Sequence, residues 1–193
     1  MRVLGIDPGS RHCGFGVVEG EAGKLRHIAH GVLSLSEGSI EVRLLELHEG
    51  LARAIQTHRP ELVAVEDVFS RHARSALVLG QARGVALLAA AQARLEVRSF
   101  PPAAIKQLVT GSGKAEKEQV GRMVAMLLGV RIEGRADASD ALAAAICGVL
   151  RAKEIAEVPP LAQVARAGSA SAAGSARAAQ AAAVLRLLKT RRR

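Results

Sequence analysis

The chain contains 193 residues, of which 49% are apolar, so it has enough hydrophobic sequence for one folded body. Its 27 Lys and Arg residues outnumber 18 Asp and Glu residues, and the net charge of +9 favours a polyanionic partner such as nucleic acid. The absence of Tyr and Trp excludes a tyrosine nucleophile and, with only three Phe residues, argues against base recognition on a broad aromatic platform.

The predicted elements begin with strands and continue with alternating strands and helices. A turn at residues 8–10 joins the first two strands into a hairpin, and apolar residues at helical spacing before Pro60 indicate an amphipathic helix. This order is typical of an α/β fold with a mixed central β-sheet flanked by helices on both faces. In chain order, we expect strands at 2–6, 13–19 and 31–35, a helix at 40–58, a strand at 62–65, a helix at 75–95, a strand at 97–100, and helices at 103–109, 115–128 and 139–153.

A change in composition after Val158 divides the chain. We expect residues 1–157 to form one domain and residues 158–193 to form an Ala-rich basic tail that is flexible or partly helical. The tail has a net charge of +7, and a second basic block, of +6, lies at residues 67–135. Segments richer in carboxylates lie on both sides of this second block.

Membrane and export signals are absent from the sequence pattern. The most apolar window, at residues 84–93, is too short to span a bilayer, and the N-terminus does not resemble a signal peptide. We therefore expect a cytoplasmic protein that makes no membrane contact.

Carboxylates stand at the ends of two predicted strands and at the start of a predicted helix. Asp7 and Glu66 each follow an apolar strand, and Asp137 and Asp140 are three residues apart, so a helical turn places both on one face. Taken singly, each could be a turn residue, a helix cap or a solvated strand end. If the strands are neighbours, however, the four carboxylates converge, and two Mg²⁺ or Mn²⁺ ions would relieve their repulsion. A two-metal site beside a basic block suggests phosphodiester hydrolysis.

Four sequence motifs resemble those of the RuvC family of bacterial Holliday-junction resolvases. They are Gly-Ile-Asp-Pro-Gly-Ser-Arg at 5–11, Val-Glu-Asp-Val-Phe at 65–69, Leu-Gly-Gln-Ala-Arg-Gly at 79–84 and Ala-Asp-Ala-Ser-Asp-Ala-Leu at 136–142. The match runs in order over residues 1–152. It implies a ribonuclease-H-like fold, a homodimer, and metal-dependent paired nicking of two opposed strands of a four-way DNA junction in recombination and repair. It also implies a partnership with the RuvA-RuvB branch-migration complex.

The resemblance further implies roles for single residues. Lys106 and Lys117 match basic positions near the scissile phosphate, and Phe69 matches an aromatic position that touches unpaired junction bases. The catalytic, metal-binding positions of the family are matched by Asp7, Glu66, Asp137 and Asp140.

Further DNA contacts are predicted from the basic block. The loop at 70–74 could present Arg71 and Arg74 to the junction beside Phe69, and Lys106, Lys114 and Lys117 also lie between the acidic positions in sequence. The Gly111-Ser112-Gly113 loop would offer free backbone N–H groups to a phosphate. This loop is not a nucleotide-binding P-loop, because Leu108 and Ala115 occupy two required motif positions. Asp67 and Lys114 depart from the family pattern.

Other functions remain open at this stage. A different ribonuclease-H-like nuclease would act on structured RNA or on a plain duplex, and an architectural protein would bind junctions without cutting them. A sugar-kinase-like or actin-like ATPase would need a longer, two-lobed chain than 193 residues supply. The apolar helix at 75–95 is the candidate dimer interface.

Overall fold

A computed structural model of the chain describes residues 1–21, 24–67, 72–132 and 136–151. The predicted tail at 158–193, Phe69 and Arg71 lie outside the described residues. The elements are β1 (Arg2–Asp7), β2 (His12–Glu21), β3 (Lys24–Ser34), α1 (Ile40–His58), β4 (Leu62–Glu66), α2 (Ala73–Gln92), β5 (Glu96–Phe100), α3 (Pro102–Thr110), α4 (Lys117–Leu128) and α5 (Ala136–Leu150). Within these ranges, no helix combines the length and the hydropathy that crossing a membrane requires.

The five strands form one mixed sheet in the order β3-β2-β1-β4-β5. The first three strands pair antiparallel, whereas β4 pairs parallel with both β1 and β5. In the central parallel pair, Ile6 lies opposite Val65, so β1 and β4 end side by side. The condition under which the four carboxylates would converge, that these two strands are neighbours, is therefore met.

Helices cover both faces of the sheet, as predicted. On one face, Leu4, Ile6 and Val65 pack with α1 and α2. On the other face, Val3 and Ala64 pack with α3, α4 and α5. Burial of each large aliphatic side chain stabilises the fold by about 1.5–3 kcal/mol, so these two apolar layers hold the strand ends in fixed positions.

Two glycines let α5 lie unusually close to the sheet. A Cβ atom at Gly5 would stand 1.9 Å from the carbonyl oxygen of Ala141, and one at Gly14 would stand 1.9 Å from that of Asp137. No side chain larger than hydrogen fits such an approach. The first turns of α5 therefore lie directly over β1 and β2.

The observed boundaries differ from the predicted ones most clearly at β3, α4 and α5, and α2 spans Ala73–Gln92 rather than 75–95. β3 begins at Lys24 rather than at Gly31, because its polar first half pairs with β2 despite an irregularity between Val17 and Val18. α4 begins at Lys117 rather than at Ala115, and α5 begins at Ala136 rather than at Ser139. The earlier start of α5 places both of its aspartates inside the helix.

Candidate active site

Strand alternation directs Asp7 and Glu66 to the same face of the sheet. Asp7 shares its face with Val3 and Gly5, and Glu66 shares its face with Ala64; all three of these neighbours contact the α5 layer. Because β1 and β4 are parallel neighbours, both carboxylates project at one edge of the sheet beneath α5.

α5 brings the other two predicted carboxylates to this edge. Asp137 and Asp140 are three residues apart in its first turns and therefore lie on one side of the helix. The negative charges of both act on Asp7, and the charges of Asp7 and Asp140 act on Glu66. The structure thus assembles all four predicted carboxylates into one electrostatically coupled group, termed here the acidic cluster.

Burial and mutual repulsion oppose ionisation of the acidic cluster. Burial, followed by the charges of Asp140 and Asp137, raises the pKa of Asp7 from 3.8 to about 7. Burial, followed by the charges of Asp7 and Asp140, raises the pKa of Glu66 from 4.5 to about 7. The pKa of Asp140 is also raised by burial, although Lys117 counteracts this effect. Full ionisation near neutral pH therefore requires additional positive charge at the site.

Two predicted lysines supply positive charge beside the acidic cluster. The Nζ atom of Lys117, in the first turn of α4, lies 2.5 Å from Oδ2 of Asp140. Burial lowers the pKa of Lys117, but its hydrogen bond to Asp140 and the surrounding carboxylate charges outweigh that effect, and the pKa is raised. The charges of Lys117 and Lys106 also act on Glu66. The structure thus places both lysines close enough to the acidic cluster for their charges to act on it.

The donor set of the acidic cluster suits a hard divalent cation. Within the described ranges, no three Asp, Glu, His or Cys side chains already stand as close together as the ligands of one ion. The ammonium of Lys117 holds Asp140, and the remaining carboxylates repel one another. All four side chains nevertheless offer carboxylate oxygens, and the raised pKa values of Asp7, Glu66 and Asp140 show the electrostatic strain that a divalent cation relieves. The residues therefore fit Mg²⁺ or Mn²⁺.

An open cleft of about 540 Å³ lies next to Lys117 and Asp140. It runs between α4 and the start of α5, and Arg122 lines it from the side of α4. Its volume falls in the usual range of ligand sites. The remaining lining residues are Glu118, Gly121, Ala125, Arg131, Ile132, Ala136 and Ser139.

Two predicted DNA contacts lie apart from the acidic cluster. Arg74 is exposed in the first turn of α2, and Lys114 is exposed in the turn that precedes α4. These positions leave both side chains accessible from solvent, and neither is among the charges that act most strongly on Asp7 or Glu66. Phe69 and Arg71 lie outside the described residues, so their predicted roles stay predictions.

The expectation of free N–H groups in the 111–113 loop is wrong. The side chain of Gln107 accepts a hydrogen bond from the backbone N–H of Gly113 and donates one to the oxygen of Gly111. The N–H of Ser112 donates to Oγ1 of Thr110. These short-range bonds use the donors that would otherwise face a phosphate.

The sequence did not reveal the partner of Asp67. Its Oδ1 atom lies 3.0 Å from a terminal nitrogen of Arg83, which is on the opposite side of the sheet from α5. Asp67 therefore does not add a fifth carboxylate to the acidic cluster. Strand alternation was the available signal, since adjacent residues of a strand point to opposite faces.

Known proteins share both the sequence and the fold. The family model described as "Crossover junction endodeoxyribonuclease RuvC" matches residues 3–148. A crossover junction endodeoxyribonuclease RuvC from Myxococcus xanthus is 54% identical over 151 residues, covering 76% of this chain and 79% of the relative.

Solved structures of Thermus thermophilus RuvC show the same architecture. One, with 37% identity, covers 80% of this chain and 96% of its own chain with a TM-score of 0.72. Another, in complex with a Holliday junction substrate, has 35% identity, the same coverage and a TM-score of 0.75. The fold is therefore the ribonuclease-H-like fold that the sequence motifs implied. On the evidence of the family model and of this sequence identity, the chain belongs to the RuvC family of crossover junction endodeoxyribonucleases.

Proposed function

We propose that this chain resolves Holliday junctions by hydrolysing one phosphodiester bond in each of two opposed DNA strands. One observation carries the proposal: Asp7, Glu66, Asp137 and Asp140 converge at one edge of the sheet, beside two lysines. The Thermus thermophilus relative bound to a Holliday junction supports a four-way junction as the substrate. Recombination and DNA repair are the processes that need this reaction.

The acidic cluster would hold the metal. Its four carboxylates supply the oxygen ligands for two Mg²⁺ or Mn²⁺ ions, which when bound provide Lewis-acid stabilisation and an activated water. The contribution of the protein is to bring the carboxylates together on β1, β4 and α5, in a partly buried place where electrostatic interactions are strong.

Lys117 and Lys106 would act on the phosphate being cut. The ammonium of Lys117 is held at the cluster by Asp140 and is therefore positioned before DNA binds. As negative charge develops on the phosphate oxygens, this fixed positive charge stabilises the transition state more than the ground state. Lys106 acts from α3 on the side of Glu66. No covalent intermediate on the protein is required.

The DNA strand would continue from the acidic cluster into the cleft between α4 and α5. Arg122 lines this cleft, and no ion pair joins it to a carboxylate in the part of the chain that the structure describes. Lys114, Arg74, Arg71 and Phe69 are proposed as further DNA contacts around the junction.

A homodimer would place two active sites on symmetry-related strands. α2 has an exposed face on which Leu77 is 65% exposed and Leu88 is 51% exposed. Between these leucines, Cβ atoms at Gly80 and Gly84 would meet nothing within 4 Å, so another helix could approach closely. A two-fold contact through this face matches the approximate two-fold symmetry of the junction.

The remaining expectations concern the setting of the reaction. We retain residues 1–157 as the nuclease domain and residues 158–193 as a basic tail that adds DNA affinity. The RuvA-RuvB complex is the proposed partner that moves the junction into position, and the cytoplasm is the proposed location because bacterial chromosomal DNA is there.

One cleavage assay tests the substrate class. A labelled immobile four-way junction, a duplex of the same sequence and an RNA–DNA hybrid are each incubated with the protein and Mg²⁺, Mn²⁺ or a chelator. Symmetric nicks in the junction alone, and only with metal, are expected. Cleavage of duplex or hybrid at a similar rate would instead indicate a less selective nuclease, and tight junction binding without nicks would indicate an architectural protein.

A further inference from the structure

Arg83 of α2 joins two side chains at the carboxyl ends of β4 and β5. Its Nη2 atom lies 3.0 Å from Oδ1 of Asp67 and also donates a hydrogen bond to Oγ of Ser99. The Arg83 side chain is 25% exposed, so the contact is partly shielded from water. This guanidinium therefore fastens α2 to two adjacent strands at one point.

The contact lies on the backbone directly next to Glu66. The N–H of Asp67 donates to the carbonyl oxygen of Phe100 at 2.9 Å, which continues the ladder between β4 and β5 beyond Glu66. On the other side of Glu66, Val65 pairs with Ser99. The backbone that carries the Glu66 carboxylate is thus held on both sides. Arg83 contacts Asp67, which follows Glu66, and Ser99, which is the β5 partner of Val65.

The two adjacent carboxylates point to opposite faces of the sheet. Glu66 points towards α5 and the acidic cluster, whereas Asp67 points towards α2. Because the two residues share one stretch of backbone, a rotation of that backbone at Asp67 also displaces the Glu66 carboxylate. Because the guanidinium neutralises Asp67, it also keeps a further negative charge from adding to the repulsion within the cluster.

We propose that Asp67 and Arg83 are positioning residues, whose ion pair sets the place of the Glu66 carboxylate relative to Asp7 and Asp140 from the opposite face of the sheet. This inference rests on the proposed function, since it assumes that Glu66 takes part in the reaction. It also assigns two roles to α2. This helix carries the proposed dimer face and, through Arg83, contributes to the geometry of the active site.

Four variants of the full-length protein test the inference by single-turnover junction cleavage in Mg²⁺. Asp67→Ala and Arg83→Ala are each expected to lower the maximal rate about tenfold, because a displacement near 1 Å of a reacting group costs about a hundredfold and this one is partial. The double variant should be no slower than either single variant, since all three break the same pair. Asp67→Asn keeps the Oδ1 acceptor and should retain the rate within about threefold of the wild type.

Junction affinity and a matched ion pair provide the controls. The dissociation constant, measured in chelator, should change less than about twofold in Asp67→Ala, because the pair itself does not face the cluster. Glu96 and Arg98 form a comparable pair at the opposite end of β5, with 2.6 Å between Oε1 and Nε and side chains 25% and 28% exposed. Glu96→Ala should therefore match Asp67→Ala in melting temperature and yet cut at the wild-type rate.

The outcomes separate this inference from the proposed function. An unchanged rate in Asp67→Ala, or an equal loss of rate in Glu96→Ala, would overturn the positioning role while the wild type still cuts. The positioning role would also be contradicted if Asp67→Asn lost as much rate as Asp67→Ala. The hydrogen bond from Arg83 to Oδ1, which Asn can still accept, would then not be what maintains the rate. A wild type that does not cut junctions at all would refute the proposed function instead.

Discussion

Replacing Asp7 by Asn should make the metal-free protein more stable near pH 8. Burial and the charges of Asp140 and Asp137 raise the pKa of Asp7 from 3.8 to about 7. Each pKa unit is equivalent to about 1.36 kcal/mol, so the ionised Asp7 costs the folded state up to about 4 kcal/mol. Because neighbouring carboxylates titrate together and share this cost, we expect Asp7→Asn to gain about 2–3 kcal/mol.

The sign of the pH dependence follows from proton binding. Between pH 3.8 and about pH 7, folded Asp7 retains a proton that the unfolded chain has released. The free energy of unfolding therefore falls as the pH rises through this window and levels off above it. The neutral amide of Asn removes the contribution of Asp7 to this dependence, so the gain should vanish near pH 4, where Asp7 is protonated in the folded protein.

Urea denaturation in chelator measures the effect directly. Wild type, Asp7→Asn and the control Asp67→Asn are compared near pH 4 and near pH 8. Asp67 has an ion-pair partner in Arg83, so Asp67→Asn should lose up to about 1 kcal/mol rather than gain stability. Saturating Mg²⁺, at about 100 times its dissociation constant, should stabilise the wild type by about 2.7 kcal/mol and leave Asp7→Asn nearly unchanged. A gain of equal size at both pH values, or a loss of stability near pH 8, would refute the electrostatic reasoning.

Further predictions address the other parts of the account. Lys117→Met should cut a bound junction about 100-fold more slowly, because one preorganised positive charge at the phosphate is lost, and an unchanged single-turnover rate would contradict its role. Gly14→Ala should lower the free energy of unfolding by about 3 kcal/mol, because its Cβ would stand 1.9 Å from a backbone oxygen of α5. If urea denaturation gave this variant the same stability as the wild type, α5 would not lie so close to β2. The double variant Leu77→Lys and Leu88→Lys should sediment as a monomer, whereas a dimer of wild-type mass would place the interface elsewhere. Deletion of residues 158–193 should weaken junction binding and flatten its salt dependence, and an unchanged slope would show that the tail makes no phosphate contacts.

The strands and the acidic cluster could be predicted because their signals are local. Asp7 and Glu66 each follow a short apolar run, and Asp137 and Asp140 have helical spacing, so only the adjacency of β1 and β4 had to be assumed. That adjacency depends on contacts between residues distant in sequence, which no local pattern encodes. The structure supplies it through the parallel pairing of Ile6 with Val65.

Other features depend on tertiary context and escaped prediction. The first half of β3 is polar and lacks strand periodicity, and its conformation follows from pairing with β2. The 111–113 loop suggested free N–H donors, but the side chain of Gln107, from the preceding helix, accepts one of them. The pairing of Asp67 with Arg83 likewise required the packing of α2 against the sheet. In each case a residue outside the motif itself determines the outcome, whether it lies a few residues away, as Gln107 does, or on another element.

The central claim is that the acidic cluster performs metal-dependent cutting of a four-way junction. The most direct test is single-turnover cleavage of an immobile junction by wild type and Asp7→Asn, with junction affinity measured in parallel in chelator. We predict paired nicks by the wild type in Mg²⁺, no nicks in chelator, and an Asp7→Asn variant that binds the junction but cuts it at least about 1,000-fold more slowly. Cutting by Asp7→Asn at the wild-type rate would contradict the account.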